Sequence, residues 1–218
     1  MESKYNFKQL MLERHTTRKF TSQEIPKDIL KDIISTSLLS PSWTNSQPWK
    51  LYIASGKALD EIKKIWLKNY ETKVERKPDI PIAHRNEFSE LSQKNMAELS
   101  KTFKEYANDD IMTFNYIMSN APTVIYFTLN KGYSKFSTYD LGSISMALIL
   151  AAKDRGIDSV IAQSVVVFPD VLRKILKIPD NEDIIIGIAL GYEEKCKAND
   201  YRAQKLKVDD VCKFIDEI

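Results

Sequence analysis

The sequence contains few of the residues on which several common kinds of functional site are built. Only two of its 218 residues are histidine, two are cysteine and six are glycine. It has no glycine-rich phosphate loop, no Gly-x-Ser-x-Gly nucleophile motif and no His-Glu-x-x-His metal motif. The pattern therefore indicates no catalytic side chain and no metal site.

Charge and hydropathy exclude further classes. The 32 basic residues nearly balance the 30 acidic ones, so nucleic acid and membrane surfaces are not expected partners. No apolar run is long enough to cross a bilayer, and the charged residues 1–12 do not resemble a signal peptide. Cys196 and Cys212 are interpreted as free thiols in a reducing, cytoplasmic setting. Without a linker of Gly, Ser or Pro character, residues 1–218 are expected to form one domain.

What the chain does have is an unusual polar loop, Pro41-Ser42-Trp43-Thr44-Asn45-Ser46-Gln47-Pro48-Trp49. It lies between a segment with apolar residues at helical spacing and a predicted strand. The two prolines restrict the backbone, and rigid polar connectors at sheet ends often hold ligands. The alternative is an ordinary turn in which Asn45 and Gln47 bond only neighbouring backbone.

A second polar segment, Arg14-His15-Thr16-Thr17-Arg18-Lys19-Phe20, combines guanidinium groups with hydroxyls. Arginine offers paired donors that match phosphate oxygens, and threonine adds a neutral donor. In an extended backbone Arg14, Thr16 and Arg18 would share one face, opposite His15 and Thr17. This arrangement favours an anion site, although a solvated basic edge strand is the simpler alternative.

Apolar periodicity and end signals predict an alternation of helices and strands, and hence a layered α/β architecture. Of the strands, 183–190 is expected to be the most buried. The predicted helices are 6–13, 27–39, 57–69, 89–106, 139–155 and 169–176, and the predicted strands are 50–54, 123–129, 159–162 and 183–190.

The helix around residues 143–152 is apolar on almost every side, so both sides must be covered. One side would pack on the sheet. The other would be covered either by a second copy of the chain or by its own helix 89–106, and the sequence leaves both open.

These segments together resemble the FMN-dependent nitroreductase family. That family begins with Arg-x-Ser/Thr-x-Arg/Lys, continues with Pro-Ser-x-x-Asn-x-Gln-Pro-Trp, and ends with a buried strand, Gly-Tyr and a late arginine. The resemblance covers nearly the whole chain except roughly residues 68–118, a variable helical or lid region. The matching residues are Arg14 to Arg18, Pro41 to Trp49, Asp140-Leu141-Gly142 before an apolar helix, Gly191-Tyr192 and Arg202.

The resemblance implies an α/β (α+β) three-layer fold, with a mixed central β-sheet flanked by helices, in an intertwined homodimer. Arg14, Thr16 and Arg202 would bind the FMN phosphate, with His15 near the phosphate or ribityl chain. Arg18 would face the pyrimidine edge, where a positive charge favours reduction.

The same resemblance implies contacts to the isoalloxazine or ribityl group from the partner chain and from the end of a strand. Gln163 and Ser164 would lie near flavin N5, and Asn115 is a weaker match to a family asparagine. The partner residues would be Pro41, Ser42, Trp43 and Asn45.

The expected function is an FMN-dependent oxidoreductase that uses NADH or NADPH to reduce nitroaromatic or quinone-like acceptors by ping-pong hydride transfer. The flavin would carry the chemistry, which agrees with the lack of a catalytic side chain. Alternatives are a flavin-binding protein without turnover and another flavin reaction, such as dehalogenation, on the same scaffold. A basic RNA- or anion-binding module is the least favoured, because the net charge is close to zero.

Overall fold

The computed structural model describes residues 6–107 and 116–215, and within them the chain forms three layers around one sheet. Every helix and strand predicted from the sequence is present, with ends that differ by a few residues. The helix predicted at 139–155 begins earlier, at Lys135, because Ser134 caps it by accepting a hydrogen bond from the Ser137 amide at 3.2 Å. The described elements are α1 (Phe7–Glu13), α2 (Lys27–Ser37), β1 (Lys50–Ser55), α3 (Gly56–Glu71), α4 (Glu90–Phe103), β2 (Thr123–Asn130), α5 (Lys135–Asp154), β3 (Asp158–Ala162), α6 (Pro169–Leu176), β4 (Glu182–Gly191) and α7 (Val208–Val211).

The four described strands lie in the order β1-β2-β4-β3, and each neighbouring pair is antiparallel. The mixed sheet expected from the resemblance is therefore wrong for these strands. Parallel pairing in the described part of the chain is confined to a single bridge between Thr16 and Ser159. The most buried strand is β2 rather than β4, because the short β3 pairs only with Gly187 to Gly191 and leaves the first half of β4 with one neighbour.

Side chains alternate across the sheet and build a separate core on each face. On one face, Val124 and Tyr126 of β2 pack in the cluster that includes α3 and α6. On the other face, Ile125 and Phe127 pack with α2 and α5. The described part of the chain contains no helix with both the length and the apolar character that a membrane span requires.

Gly191, at the end of β4, allows another segment to approach the sheet closely. A Cβ atom at this position would lie 2.7 Å from Pro122 Cδ and 2.9 Å from Phe20 Cδ1. Phe20 is fully buried against this end of the strand. The residues that precede Phe20 are consequently brought to the C-terminal end of β4.

A buried carboxylate, Glu182, joins three strands at the opposite end of the sheet. It accepts hydrogen bonds from Lys50 Nζ at 2.6 Å, Thr128 Oγ1 at 2.5 Å and Tyr52 Oη at 3.0 Å. Burial alone would raise the pKa of Glu182, but these donors and the charge of Lys50 outweigh burial and hold the pKa below its ordinary value. Glu182 is thus a charged group satisfied entirely by its neighbours.

The lowered pKa makes a directional prediction for stability. A carboxylate with a folded-state pKa below its unfolded value stabilises the fold above pH about 4.3, and this contribution disappears as the pH falls through the folded-state pKa. Glu182→Gln should therefore lower the free energy of unfolding at pH 7 by about 1.5 to 3 kcal/mol, with a smaller difference in acid. Urea unfolding of both proteins at neutral and acidic pH measures this. An equal deficit at both pH values would contradict the assignment.

Candidate cofactor site

The basic segment at residues 14–21 lies across the ends of β3 and β4. The Thr17 amide donates to the carbonyl oxygen of Ser159 at 3.0 Å, and the Thr21 amide donates to that of Tyr192 at 2.9 Å. The Lys19 carbonyl oxygen accepts from the Glu194 amide at 3.0 Å. These backbone contacts fix the direction of each side chain in the segment.

The two-residue alternation predicted for this segment is confirmed. His15 and Thr17 are buried, whereas Thr16 is exposed and Arg14 and Arg18 are partly exposed. Two guanidinium groups and one hydroxyl therefore belong to the solvent-facing set. This distribution is the one expected of an extended anion-binding segment.

His15 lies on the inner side and supports the segment from behind. Its Nδ1 donates to the Glu13 carbonyl oxygen at 2.9 Å, and its Nε2 contacts the Glu193 carboxylate. Asp158 also lies close to this pair, but it is bound by Lys153 Nζ at 2.8 Å. The cluster is held by its own ion pairs, so its evident role is to position the segment.

Asn199, which sequence reasoning missed, ties the basic segment to the late arginine. Its side chain is 1% exposed; Oδ1 accepts from the Arg18 amide at 2.7 Å, and Nδ2 donates to the Lys19 and Glu194 carbonyl oxygens, each at 2.8 Å. Its backbone carbonyl oxygen accepts from Arg202 Nη1 at 2.7 Å. A single asparagine between two motifs has no sequence signal, because its role depends on where three separate segments meet.

Because Asn199 binds both residues, Arg202 lies beside the basic segment that contains Arg18. It borders a groove of about 910 Å³ between α4 and residues 201–210. Within the basic segment itself, Arg18 Nη1 donates to the Thr16 carbonyl oxygen at 3.1 Å. Burial lowers the pKa of Arg18 and the nearby Tyr201 partly offsets this, but a guanidinium remains charged at neutral pH.

The electrostatic feature of this site is positive charge without a matching carboxylate. No described carboxylate forms a salt bridge with Arg14, Arg18 or Arg202. By contrast, Arg155 pairs with Asp32 at 2.7 Å, and Arg173 binds both oxygens of Asp79. Within the described structure, these three arginines thus have N–H donors that no carboxylate occupies.

The Pro41 to Trp49 loop is held by a second residue that sequence reasoning assigned no contact, Asp140. The Trp43 amide donates to both oxygens of the buried Asp140 carboxylate, at 3.0 and 3.1 Å. Asn45 Oδ1 accepts from Gln47 Nε2 at 3.2 Å, a local bond of the kind that an ordinary turn would make. The Trp43 indole nevertheless remains 59% exposed. The loop is rigidly anchored, and part of it faces outward.

This loop and the basic segment do not meet within one chain. Lys50, which follows the loop, pairs with Thr128 of β2, and Thr128 pairs with Ile184 of β4. Thr16 of the basic segment pairs with Ser159 of β3, and Ser159 pairs with Leu190 of β4. Ile184 and Leu190 are six residues apart on β4, about 20 Å along the strand. The attachments also lie at opposite edges of the sheet, about 14 Å apart. Pro41, Ser42, Trp43 and Asn45 are therefore far from the Arg14 to Arg18 segment.

Gln163 and Ser164 form a short turn directly after β3, on the same edge of the sheet as Thr16. The Ser164 carbonyl oxygen accepts from the Trp66 indole at 3.0 Å. Ser164 also borders a cavity of about 590 Å³ beside the stacked rings of Tyr70 and Tyr116. Asn115 lies outside the described residues.

The fold and these residues together define a class: a three-layer α/β protein with a group of arginines that pair with no described carboxylate. Residues 11–192 match the Nitroreductase family, and the chain belongs to that family of oxidoreductases. The resemblance inferred from the sequence motifs is thus confirmed.

Individual relatives differ in their named activities. The chain is 26% identical to a chloronitrobenzene nitroreductase of Comamonas testosteroni, over 95% of this chain and 96% of the relative. It is 28% identical to an iodotyrosine dehalogenase 1 homolog of Caenorhabditis elegans, over 85% of this chain and 54% of the relative.

A solved structure agrees with the fold. The FMN-dependent nitroreductase NfnB from Mycobacterium smegmatis, determined in complex with NADPH, superposes with a TM-score of 0.89 at 21% identity. The match covers 95% of this chain and 97% of NfnB. The fold implied by the family resemblance is therefore found in a solved protein.

Proposed function

We propose that this protein is an FMN-dependent oxidoreductase that uses NADH or NADPH to reduce nitroaromatic or quinone-like acceptors. The observation that carries the proposal is the set of arginines, Arg14, Arg18 and Arg202, whose charge is balanced by no described carboxylate. The family membership of residues 11–192 supports the same assignment.

The residues present fit the chemistry of FMN. Its terminal phosphate is close to a dianion at neutral pH and accepts several hydrogen bonds. Arg14, Thr16 and Arg202 would bind this group, and their charges and donors suit it. Arg18 would place its positive charge at the pyrimidine edge of the ring, with Gln163 and Ser164 near N5. His15 would act indirectly, since its ring is occupied by Glu13 and Glu193.

When bound, FMN supplies the hydride chemistry that no side chain of the site provides. The protein's contribution is to bind, orient and adjust charge. The guanidinium of Arg18 would stabilise negative charge on a ring bound beside it, and a positive charge there would favour the reduced form of the cofactor. The Arg18 amide donates to Asn199 Oδ1 and the Thr17 amide donates to the Ser159 carbonyl oxygen, and these two bonds hold the basic segment in place.

A second copy of the chain would complete the site. The loop and the basic segment lie at opposite ends of the sheet, so a two-fold pair could join the loop of each chain to the arginines of the other. Large apolar side chains are exposed on α1, before the loop and on α5, including Leu39 at 84% and Tyr139 at 75%. The principal neighbours of α5 include α1, α2 and β3, whereas α4 packs near Tyr201. These observations favour a second chain, rather than α4, as the cover for the outer side of α5.

The dimer proposal predicts concentration-dependent sedimentation with a two-chain species at micromolar protein. Tyr139→Glu, which introduces charge into the exposed apolar surface, should shift the protein towards monomer and weaken FMN binding in parallel. Sedimentation equilibrium together with FMN titration measures both effects. A strict monomer that still binds FMN fully would contradict the shared site.

The reaction itself predicts a change of colour. The purified protein, supplemented with FMN, should be yellow, bleach with NADH or NADPH without oxygen, and recolour when a nitroaromatic or quinone is added. Absorbance spectroscopy follows each step. A protein that binds FMN but shows no acceptor-dependent oxidation of nicotinamide would be a flavin-binding protein without turnover. A protein that does not bind FMN would refute the proposal.

Dehalogenation is a second candidate, favoured by the 28% identity to the iodotyrosine dehalogenase homolog. The same FMN-loaded protein can be tested with a halogenated tyrosine under reducing conditions. Release of halide together with recolouring would assign this reaction, and absence of both would leave the nitroaromatic or quinone class.

Arg202→Ala tests the phosphate assignment directly. Removal of a charged hydrogen bond of about 1.5 to 3 kcal/mol should weaken FMN binding on the order of tenfold to a hundredfold. Fluorescence titration of the apoprotein with FMN measures the dissociation constant. Arg85→Ala is the matched control, because Arg85 is exposed and donates to Ser100 in another part of the molecule. Equal affinities of the two variants would remove Arg202 from the site.

A further inference from the structure

The variable region, to which the sequence assigned no definite role, reaches the site through the last turn of α4. The Arg18 guanidinium carbon lies 4.1 Å from the centre of the Phe103 ring, within the range of a cation–π contact. The same carbon lies 5.8 Å from the centre of the Tyr201 ring. Two aromatic rings from separate segments therefore surround one of the site arginines.

These rings belong to a small cluster with fixed geometry. Tyr201 is 6% exposed and packs edge-to-face on Phe103, with centroids 5.1 Å apart, and on Tyr106, with centroids 5.3 Å apart. Its hydroxyl is hydrogen-bonded to Thr102 Oγ1 at 2.8 Å. The end of α4 and the C-terminal segment are thereby locked together beside Arg18.

An aromatic ring is suited to hold an arginine that must also bind a ligand. A carboxylate would neutralise the guanidinium and occupy its N–H groups, whereas a ring attracts the cation through its face. Nη1 donates to the Thr16 carbonyl oxygen at 3.1 Å. The Thr16 carbonyl is the acceptor described for the Arg18 side chain, so other N–H groups of its guanidinium can donate to a ligand.

We propose that Phe103, supported by Tyr201, is a positioning residue that holds Arg18 for the cofactor. This inference rests on the proposed FMN function and extends it to the variable region. The position of α4 then influences how strongly the protein prefers reduced FMN to oxidised FMN. The reason is that the positive charge of Arg18 stabilises the more negative, reduced form. Differences in this region would therefore alter flavin reactivity.

Phe103→Leu tests the proposal, because it keeps an apolar side chain and removes the aromatic face. The affinity of the apoprotein for oxidised FMN and for dithionite-reduced FMN is measured without oxygen. The ratio of the two affinities should shift by about threefold to tenfold against reduced FMN. In an Arg18→Gln background the same substitution should leave the ratio unchanged.

Phe88→Leu is the matched control, since Phe88 is 40% exposed and stands outside the ring cluster. It should leave the ratio at its original value. An equal loss of affinity for both forms of FMN in Phe103→Leu, or a shift that persists without Arg18, would overturn the proposal.

A separate measurement distinguishes failure of this proposal from failure of the FMN function. Urea unfolding of the apoprotein is followed for Arg18→Gln, Phe103→Leu and the double variant. The two substitutions should be coupled by about threefold to tenfold in the unfolding equilibrium constant. Coupling without FMN binding would refute only the function, and absence of coupling would refute the role of Phe103 itself.

Discussion

The attachment of residues 14–21 to the ends of β3 and β4 is the constraint on which the rest of the site depends. Backbone bonds to Ser159 and Tyr192 hold the segment extended, and the absence of a side chain at Gly191 lets Phe20 pack against the strand. An extended backbone sends alternate residues to opposite sides. The exposed and buried members of the Arg14 to Arg18 motif follow from this one attachment.

The structure uses buried polar groups to orient the cationic side chains without neutralising them. Asn199 binds the backbone of Arg18 and Lys19, while its own carbonyl binds Arg202. Elsewhere in the described chain, Arg155 and Arg173 are paired with carboxylates in the usual way. This contrast supports the proposal that Arg14, Arg18 and Arg202 bind an anionic cofactor.

The sequence predicted more of the secondary structure than of the site. Helices and strands were recognisable because each has its own apolar period, and their ends differ from the predicted ones by a few residues, as at α5, where the Ser134 cap was overlooked. The two errors concerned the sheet as a whole: its antiparallel pairing and the greater burial of β2. Both depend on which strands become neighbours, which no local pattern reveals.

Among the site residues, the motifs identified Arg14, Arg18 and Arg202 but not Asn199, Asp140 or Phe103. The arginines belong to short recurrent patterns, whereas the other three act across 94 or more residues or through a ring that resembles any core aromatic. The sequence alone determined the elements, the alternation of the basic segment and the family. Only the tertiary structure decided which residues orient the arginines and that the polar loop lies at the far end of the sheet, because those relations arise from packing between distant segments.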